Sequence, residues 1–210
     1  MSGFFVTGTD TNIGKTLSSA ILTSVLNAYY WKPIQSGIAN EMSDQDRVKH
    51  WIDLPGRRLF PTNYLLKACL SPEQAATLEG VRIDLSKLHL PKADAQIIVE
   101  GAGGVFVPLT EDTSMMDLMK QLNLPIIIVS RGKLGTINHT LLTIEALLHR
   151  QLKVKGVIYC GELNHANQHT IEKWSGIKTL FHVPYFENLN KDILTKWIDE
   201  NKNDILENLI

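Results

Sequence analysis

The chain has 210 residues, 44% of them hydrophobic and 20% charged, and its 21 Lys plus Arg against 22 Asp plus Glu give a net charge of -1. That length suits one substantial domain, expected to span 1–210, and the composition excludes a disordered chain. Balanced charge removes the electrostatic case for a general nucleic-acid binder, which carries a basic excess. No apolar run approaches the ~20 residues that cross a bilayer, and Met1-Ser2-Gly3 lacks the basic start of a secretory leader. Two cysteines, Cys69 and Cys160, make neither a disulfide framework nor a Cys-based zinc site. A cytoplasmic protein working on small molecules is the expectation.

Along the chain, short β-rich runs alternate with helical segments, the pattern of a mostly parallel sheet with helices on both faces. A first strand is predicted over 3–7 and a helix over 15–27, where Leu17, Ile21, Leu22, Val25 and Leu26 recur at helical spacing. A short strand follows over 28–31. The segment 37–72 is the least regular, and 40–44 reads as a loop; long loops inside α/β domains are more often functional than idle. Further strands are predicted over 96–100, 126–129, 156–159 and 179–183, several of them unbroken Val/Ile runs suited to burial on both faces. Asn138 is the predicted N-cap of a helix carrying Leu141, Leu142, Ile144, Leu147 and Leu148. The last helix, 191–210, places Ile193, Leu194, Trp197 and Ile198 on one stripe.

The chemistry-bearing residues begin directly after the first strand, in Gly8-Thr9-Asp10-Thr11-Asn12-Ile13-Gly14-Lys15-Thr16. Gly14-Lys15-Thr16 has the form of the end of a phosphate-binding loop. There, backbone N–H groups at a helix start hold phosphate oxygens, the lysine reaches the β- and γ-phosphates, and the hydroxyl ligates Mg²⁺. Five residues separate Gly8 from Gly14, one more than the general pattern. A second signal is the apolar strand ending in Glu100, followed by Gly101, Ala102, Gly103 and Gly104. Phosphate-loop enzymes keep a metal-directed acid at such a place, while the ordinary reading is a strand end and a tight turn. The third is Lys32-Pro33-Ile34-Gln35-Ser36-Gly37, where Lys32 and Ser36 would face the crevice at the carboxyl ends of the strands. His165 and His169 lie four apart with no third ligand nearby, and Met115-Met116 reads as core or loop packing.

Together these segments resemble the dethiobiotin synthetase family, with Lys133-Leu-Gly-x-Ile-Asn-His139 and Pro108-Leu109 adding to the match from about Phe4 to Phe186. The longer first loop is a feature of that family. The resemblance implies a P-loop NTPase-like fold and an ATP- and Mg²⁺-dependent reaction of 7,8-diaminononanoate with CO₂. One amine becomes a carbamate, ATP phosphorylates it, and the second amine closes the cyclic urea. It implies phosphate contacts from Asn12 through Leu17 (Asn12, Ile13, Gly14, Lys15, Thr16, Leu17), catalytic roles for Lys15, Lys32 and Thr11, and a metal held by Thr16, Glu100 and Asp44, with Asp46 the competing acid. Gly101, Ala102 and Gly103 would line the nucleotide. Thr11 and Ser36 would meet the diamine, and Gly135 and Asn138 its distant carboxylate from the other subunit of a homodimer.

Departures from the family pattern concern Asn12, where an acid is usual, a short segment before Lys32, and the base site. Cys160-Gly161 stands where an adenine-reading Asn is expected, although Pro184, Tyr185 and Phe186 match the second base-contacting segment. The alternative from another class is a regulatory switch ATPase of the partitioning type. Those proteins carry a second lysine five residues before the loop lysine, where this chain has Asp10. A cobyrinate-type amidotransferase would need a glutaminase domain, for which 210 residues leave no room.

Overall fold

A computed structural model describes residues 2–39 and 42–209. Its centre is a seven-stranded parallel sheet built from β1 (Gly3–Gly8), β2 (Tyr29–Trp31), β4 (Leu59–Phe60), β6 (Ile97–Gly104), β7 (Ile126–Arg131), β8 (Val154–Cys160) and β9 (Thr179–Val183), in the order β4-β2-β6-β1-β7-β8-β9. Two further short strands, β3 (Ile34–Gln35) and β5 (Tyr64–Leu65), pair separately.

Alternation along the central strands divides the core in two. Phe5, Ile97, Val99, Ile126 and Ile128 face one way, onto α3 (Pro72–Leu78), α4 (Met115–Leu122) and α5 (Thr136–His149). Phe4, Val6, Ile98, Ile127 and Val129 face the other way, onto α1 (Lys15–Val25) and α7 (Lys191–Leu209). Successive strand side chains point to opposite faces, so an uninterrupted Ile/Val run implies helices on both sides. The remaining helices are α2 (Asp44–Ile52), which packs on α1, and α6 (His165–Ser175), which packs on α5.

Several local expectations shift. The glycines after Glu100 do not turn: β6 continues through Gly104, because Gly104 still pairs with Gly8 of β1. Asp44 does not belong to the loop read over 40–44. Ser43 caps α2, its side chain accepting from the Asp46 N–H, and Asp44 is the first helical residue; Asn40 and Glu41 lie outside the described residues. The N-cap of α5 is Gly135 at φ 93°, three residues before Asn138, which sits exposed in the first turn. In α7 the buried stripe is Leu194, Ile198, Ile205 and Leu209, with Trp197 half-buried and Ile193 exposed. Ile193 lies one position off that stripe. Met115 and Met116 are core residues of α4, fully buried beneath β6.

Candidate functional site

The site forms at the carboxyl ends of β1, β2 and β6, neighbours in the sheet, where the loop between β1 and α1 emerges. Gly14 ends that loop at φ 100°, a left-handed conformation open to glycine, and caps α1 without a side-chain hydrogen bond. A Cβ on Gly14 would lie 2.7 Å from Cys160 Sγ. Only glycine lets the loop pass this close to β8. The Ser18 N–H is the first in α1 to bond back, to the Gly14 carbonyl, so the preceding turn directs its N–H groups outward. Ile13 anchors the loop by burying its side chain in the cluster that holds Val6, Ile21 and Val183, and half-buried Leu17 packs against the same cluster.

Lys15 folds back over this loop, its Nζ donating to the Asp10 carbonyl at 2.6 Å. Burial first, and then repulsion from Lys32, pull its pKa down to about 8. Thr11 and Asn12 are exposed at the mouth. Asn12 holds φ 52°, and its carbonyl accepts from Arg131 Nη2 at 2.6 Å, with the Thr11 carbonyl 3.2 Å from the same nitrogen.

Below the loop lies a buried charged cluster. Lys32 Nζ donates to Asp44 Oδ2 at 2.5 Å and to Glu100 Oε1 at 2.8 Å, and Thr16 Oγ1 donates to the same Glu100 oxygen at 2.9 Å. Tyr30 Oη donates to the other, Oε2, at 2.8 Å. Burial alone would lower the Lys32 pKa, but Glu100 and Asp44 outweigh it and leave the ammonium above its ordinary value. Burial works upward on Asp44, and the attraction of Lys32 overrides it, so its carboxyl titrates below the usual range. Tyr30 is pushed well above its ordinary pKa by burial and then by Glu100, so it remains a neutral donor.

Two carboxylates and a hydroxyl are hard oxygen donors of the kind Mg²⁺ accepts, with waters and phosphate oxygens filling the rest of its shell. Glu100, Asp44 and Thr16 therefore fit that ion, and the Lys32 ammonium already marks the place as one for a cation. Asp46, the competing acid, is exposed and accepts from the Ser43 hydroxyl at 2.6 Å within the cap of α2.

The outer residues are less concentrated. Ser36 gives its hydroxyl to the Leu70 carbonyl at 2.8 Å. Gly101 and Ala102 are buried in β6, and Gly103 takes φ 65° where an added Cβ would meet Val107 at 2.5 Å. Cys160 ends β8 nearly buried, its sulfur 3.4 Å from Ser18 Oγ, and burial raises its thiol to about 11. Its side chain thus faces the underside of the loop. Tyr185 is 78% exposed, Pro184 half-buried, and the Phe186 ring meets Trp197 edge-on at 6.1 Å. Gly135 and Asn138 stand exposed at the start of α5. Among the described residues no group of three His, Cys, Asp or Glu could hold a metal ion, so His165 and His169 belong to α6 and to no such cluster.

Two residues at the site carry no sequence signal of their own. Tyr30 reads as one more apolar strand residue. Arg131 could have been found from its place alone, since it ends β7, the strand beside β1, where ligands bind in open parallel sheets.

Comparison with known proteins bears on the family and the fold. A family model described as an AAA domain matches residues 2–192. The ATP-dependent dethiobiotin synthetase of Paramagnetospirillum magneticum is 46% identical over 87% of this chain and 88% of its own length. That of Novosphingobium aromaticivorans is 42% identical over 93% and 94%. A biotin biosynthesis bifunctional protein of Bordetella avium is 45% identical over 93% of the chain, which spans 42% of that longer protein. Among solved structures, a chain of the MinC:MinD cell division protein complex of Aquifex aeolicus superposes with a TM-score of 0.54 at 13% identity, covering all of this chain and 94% of the other. That likeness concerns the fold.

Proposed function

This chain belongs to the ATP-dependent dethiobiotin synthetase family and is a ligase of biotin biosynthesis; we propose that its turnover is organised around the Lys32–Asp44–Glu100 cluster beneath the phosphate-binding loop. An amine of 7,8-diaminononanoate adds to CO₂ and loses a proton, giving a carbamate. A carbamate oxygen attacks the γ-phosphorus of ATP and ADP leaves. The second amine then attacks the carbonyl carbon of the mixed anhydride, expelling phosphate and closing the cyclic urea.

Catalysis of such phosphoryl transfer is mostly positioning and charge neutralisation. The outward N–H groups of Asn12 through Leu17 and the Lys15 ammonium hold the phosphates. Contact with phosphate oxygens would favour the charged form of Lys15, offsetting the burial that lowers it. Thr16, Asp44 and Glu100 would hold Mg²⁺, which when bound would neutralise charge on the β- and γ-phosphates. Lys32, held between Asp44 and Glu100, supplies the ammonium that would meet the carbamate and the transferring phosphoryl group. Gly101, Ala102 and Gly103 line the nucleotide, Pro184, Tyr185 and Phe186 flank the base, and Thr11 and Ser36 face the diamine.

Gly135 and Asn138 receive the distant carboxylate of the diamine from a second copy, making the working unit a homodimer. Exposed Leu134 before α5 and exposed Leu142 on it support that arrangement. No helix among the described residues is long and apolar enough to cross a membrane, and we assign the enzyme to the cytoplasm, acting on small molecules and not on nucleic acid. The partitioning-type switch ATPase shares the fold, but Asp10 occupies the position of its second lysine. The observation that carries the proposal is the buried Lys32 held between two acids beside the loop. Its test is phosphate release from ATP that requires the diamine, bicarbonate and Mg²⁺ together; release independent of the diamine would reject it.

A further inference from the structure

Glu100 commits one of its oxygens to a residue outside every recognised motif. We propose that Tyr30 is a positioning residue, whose phenol holds Oε2 of Glu100 so that Oε1 is presented to Thr16 and to the cation. The proposal rests on the reading of Glu100 as a metal ligand.

The register of the sheet places the two side by side. β2 pairs with β6 so that Tyr30 lies opposite Ile98 and Trp31 opposite Val99. Glu100 is two residues beyond Ile98, hence on the same face, and the length of a tyrosine side chain spans that step to put Oη 2.8 Å from Oε2. The ring is fully buried with Ala20 of α1, Val48 of α2 and Leu54. Tyr30 therefore shares one buried cluster with the helix that carries Thr16 and the helix that opens with Asp44, while its hydroxyl reaches Glu100.

The bond also answers a geometric need. Terminal carboxylate torsions are broad and weakly constrained, and Thr16 and Lys32 both draw on Oε1. Without a donor on Oε2, the carboxylate could turn and give both oxygens to the Lys32 ammonium, leaving neither fixed for Mg²⁺. Partners that orient a metal ligand typically affect metal affinity by about 10–100-fold when removed.

The test measures Mn²⁺ binding in the presence of ADP by electron paramagnetic resonance, for the wild type, Tyr30→Phe, Glu100→Gln and the double variant, with thermal melts alongside. Tyr30→Phe should weaken Mn²⁺ binding on the order of tenfold while still melting cooperatively, and saturating Mg²⁺ should restore its kcat. The double variant should bind Mn²⁺ no worse than Glu100→Gln alone, since the phenol acts through that carboxylate. Unchanged or tighter binding in Tyr30→Phe, with Glu100→Gln impaired, would overturn the proposal and leave the metal reading standing. So would a full additional loss in the double variant, or a Tyr30→Phe chain that does not fold. Unchanged binding in Glu100→Gln would overturn the metal reading itself.

Discussion

Lys32 and Glu100 form an ion pair of 2.8 Å in which the carboxylate is completely buried and the ammonium side chain is only 5% exposed. Removing one partner of such a pair leaves an uncompensated buried charge, at a cost of about 3–5 kcal/mol. Lys32→Met should therefore lower the melting temperature by roughly 6–20 °C for a chain of this size. Because the same ammonium stands where a divalent cation would sit, Mg²⁺ should raise the melting temperature of this variant more than that of the wild type. Differential scanning calorimetry with and without Mg²⁺ checks both, and equal Mg²⁺ responses would show that Lys32 does not compete for the acids.

On the proposed reading, Lys15→Ala removes the charge that meets the transferring phosphoryl group. Groups that stabilise developing charge in a dry, organised site are worth several kcal/mol, so the loss in kcat should be on the order of 10³-fold or more. The fold should persist, because among the described residues the hydrogen bond of the Lys15 ammonium is to the Asp10 carbonyl. Near-wild-type phosphate release in this variant would reject the phosphate-loop assignment.

The two candidate acids of α2 should separate cleanly. Asp44 faces Lys32, whereas Asp46 is occupied by the Ser43 cap. Asp44→Asn should raise the Mg²⁺ concentration needed for half-maximal rate on the order of tenfold or more. Asp46→Asn should leave that requirement unchanged and cost at most ~1 kcal/mol of stability through the cap. A Mg²⁺ titration that assigns the larger effect to Asp46 would reverse the choice.

The parts of this fold that could be read from sequence are those with a strong period or a dense local motif. Ile126 through Val129 could only be a strand buried on both faces, and Gly14-Lys15-Thr16 after β1 located the loop. What stayed hidden depends on contacts between distant segments. The two-residue strands β3, β4 and β5 are too short to show alternation and exist because the strands beside them offer partners. Asn138 competes as a cap by composition, yet Gly135 wins because its φ of 93° turns the chain into α5 three residues earlier. Tyr30 gains its role only when β2 is laid against β6, which no local pattern specifies.

An amide reads adenine by pairing an acceptor and a donor, which a thiol cannot supply. Cys160 moreover turns its sulfur toward Ser18 and Gly14, and with its thiol raised to about 11 it stays neutral and close to the core. Phosphates and metal would then provide most of the nucleotide affinity. A site that hydrogen-bonds a base rejects analogues strongly, whereas an apolar slot discriminates by only ~1–3 kcal/mol. The kcat/KM values for ATP, CTP and GTP should accordingly lie within ~100-fold of one another, and Cys160→Asn should raise the value for ATP relative to CTP. Asn164 and the backbone around Pro184 and Tyr185 are the competing readers. If they read the base, the wild type will favour ATP strongly and Cys160→Asn will not change the ratio, an outcome that rejects a permissive base site.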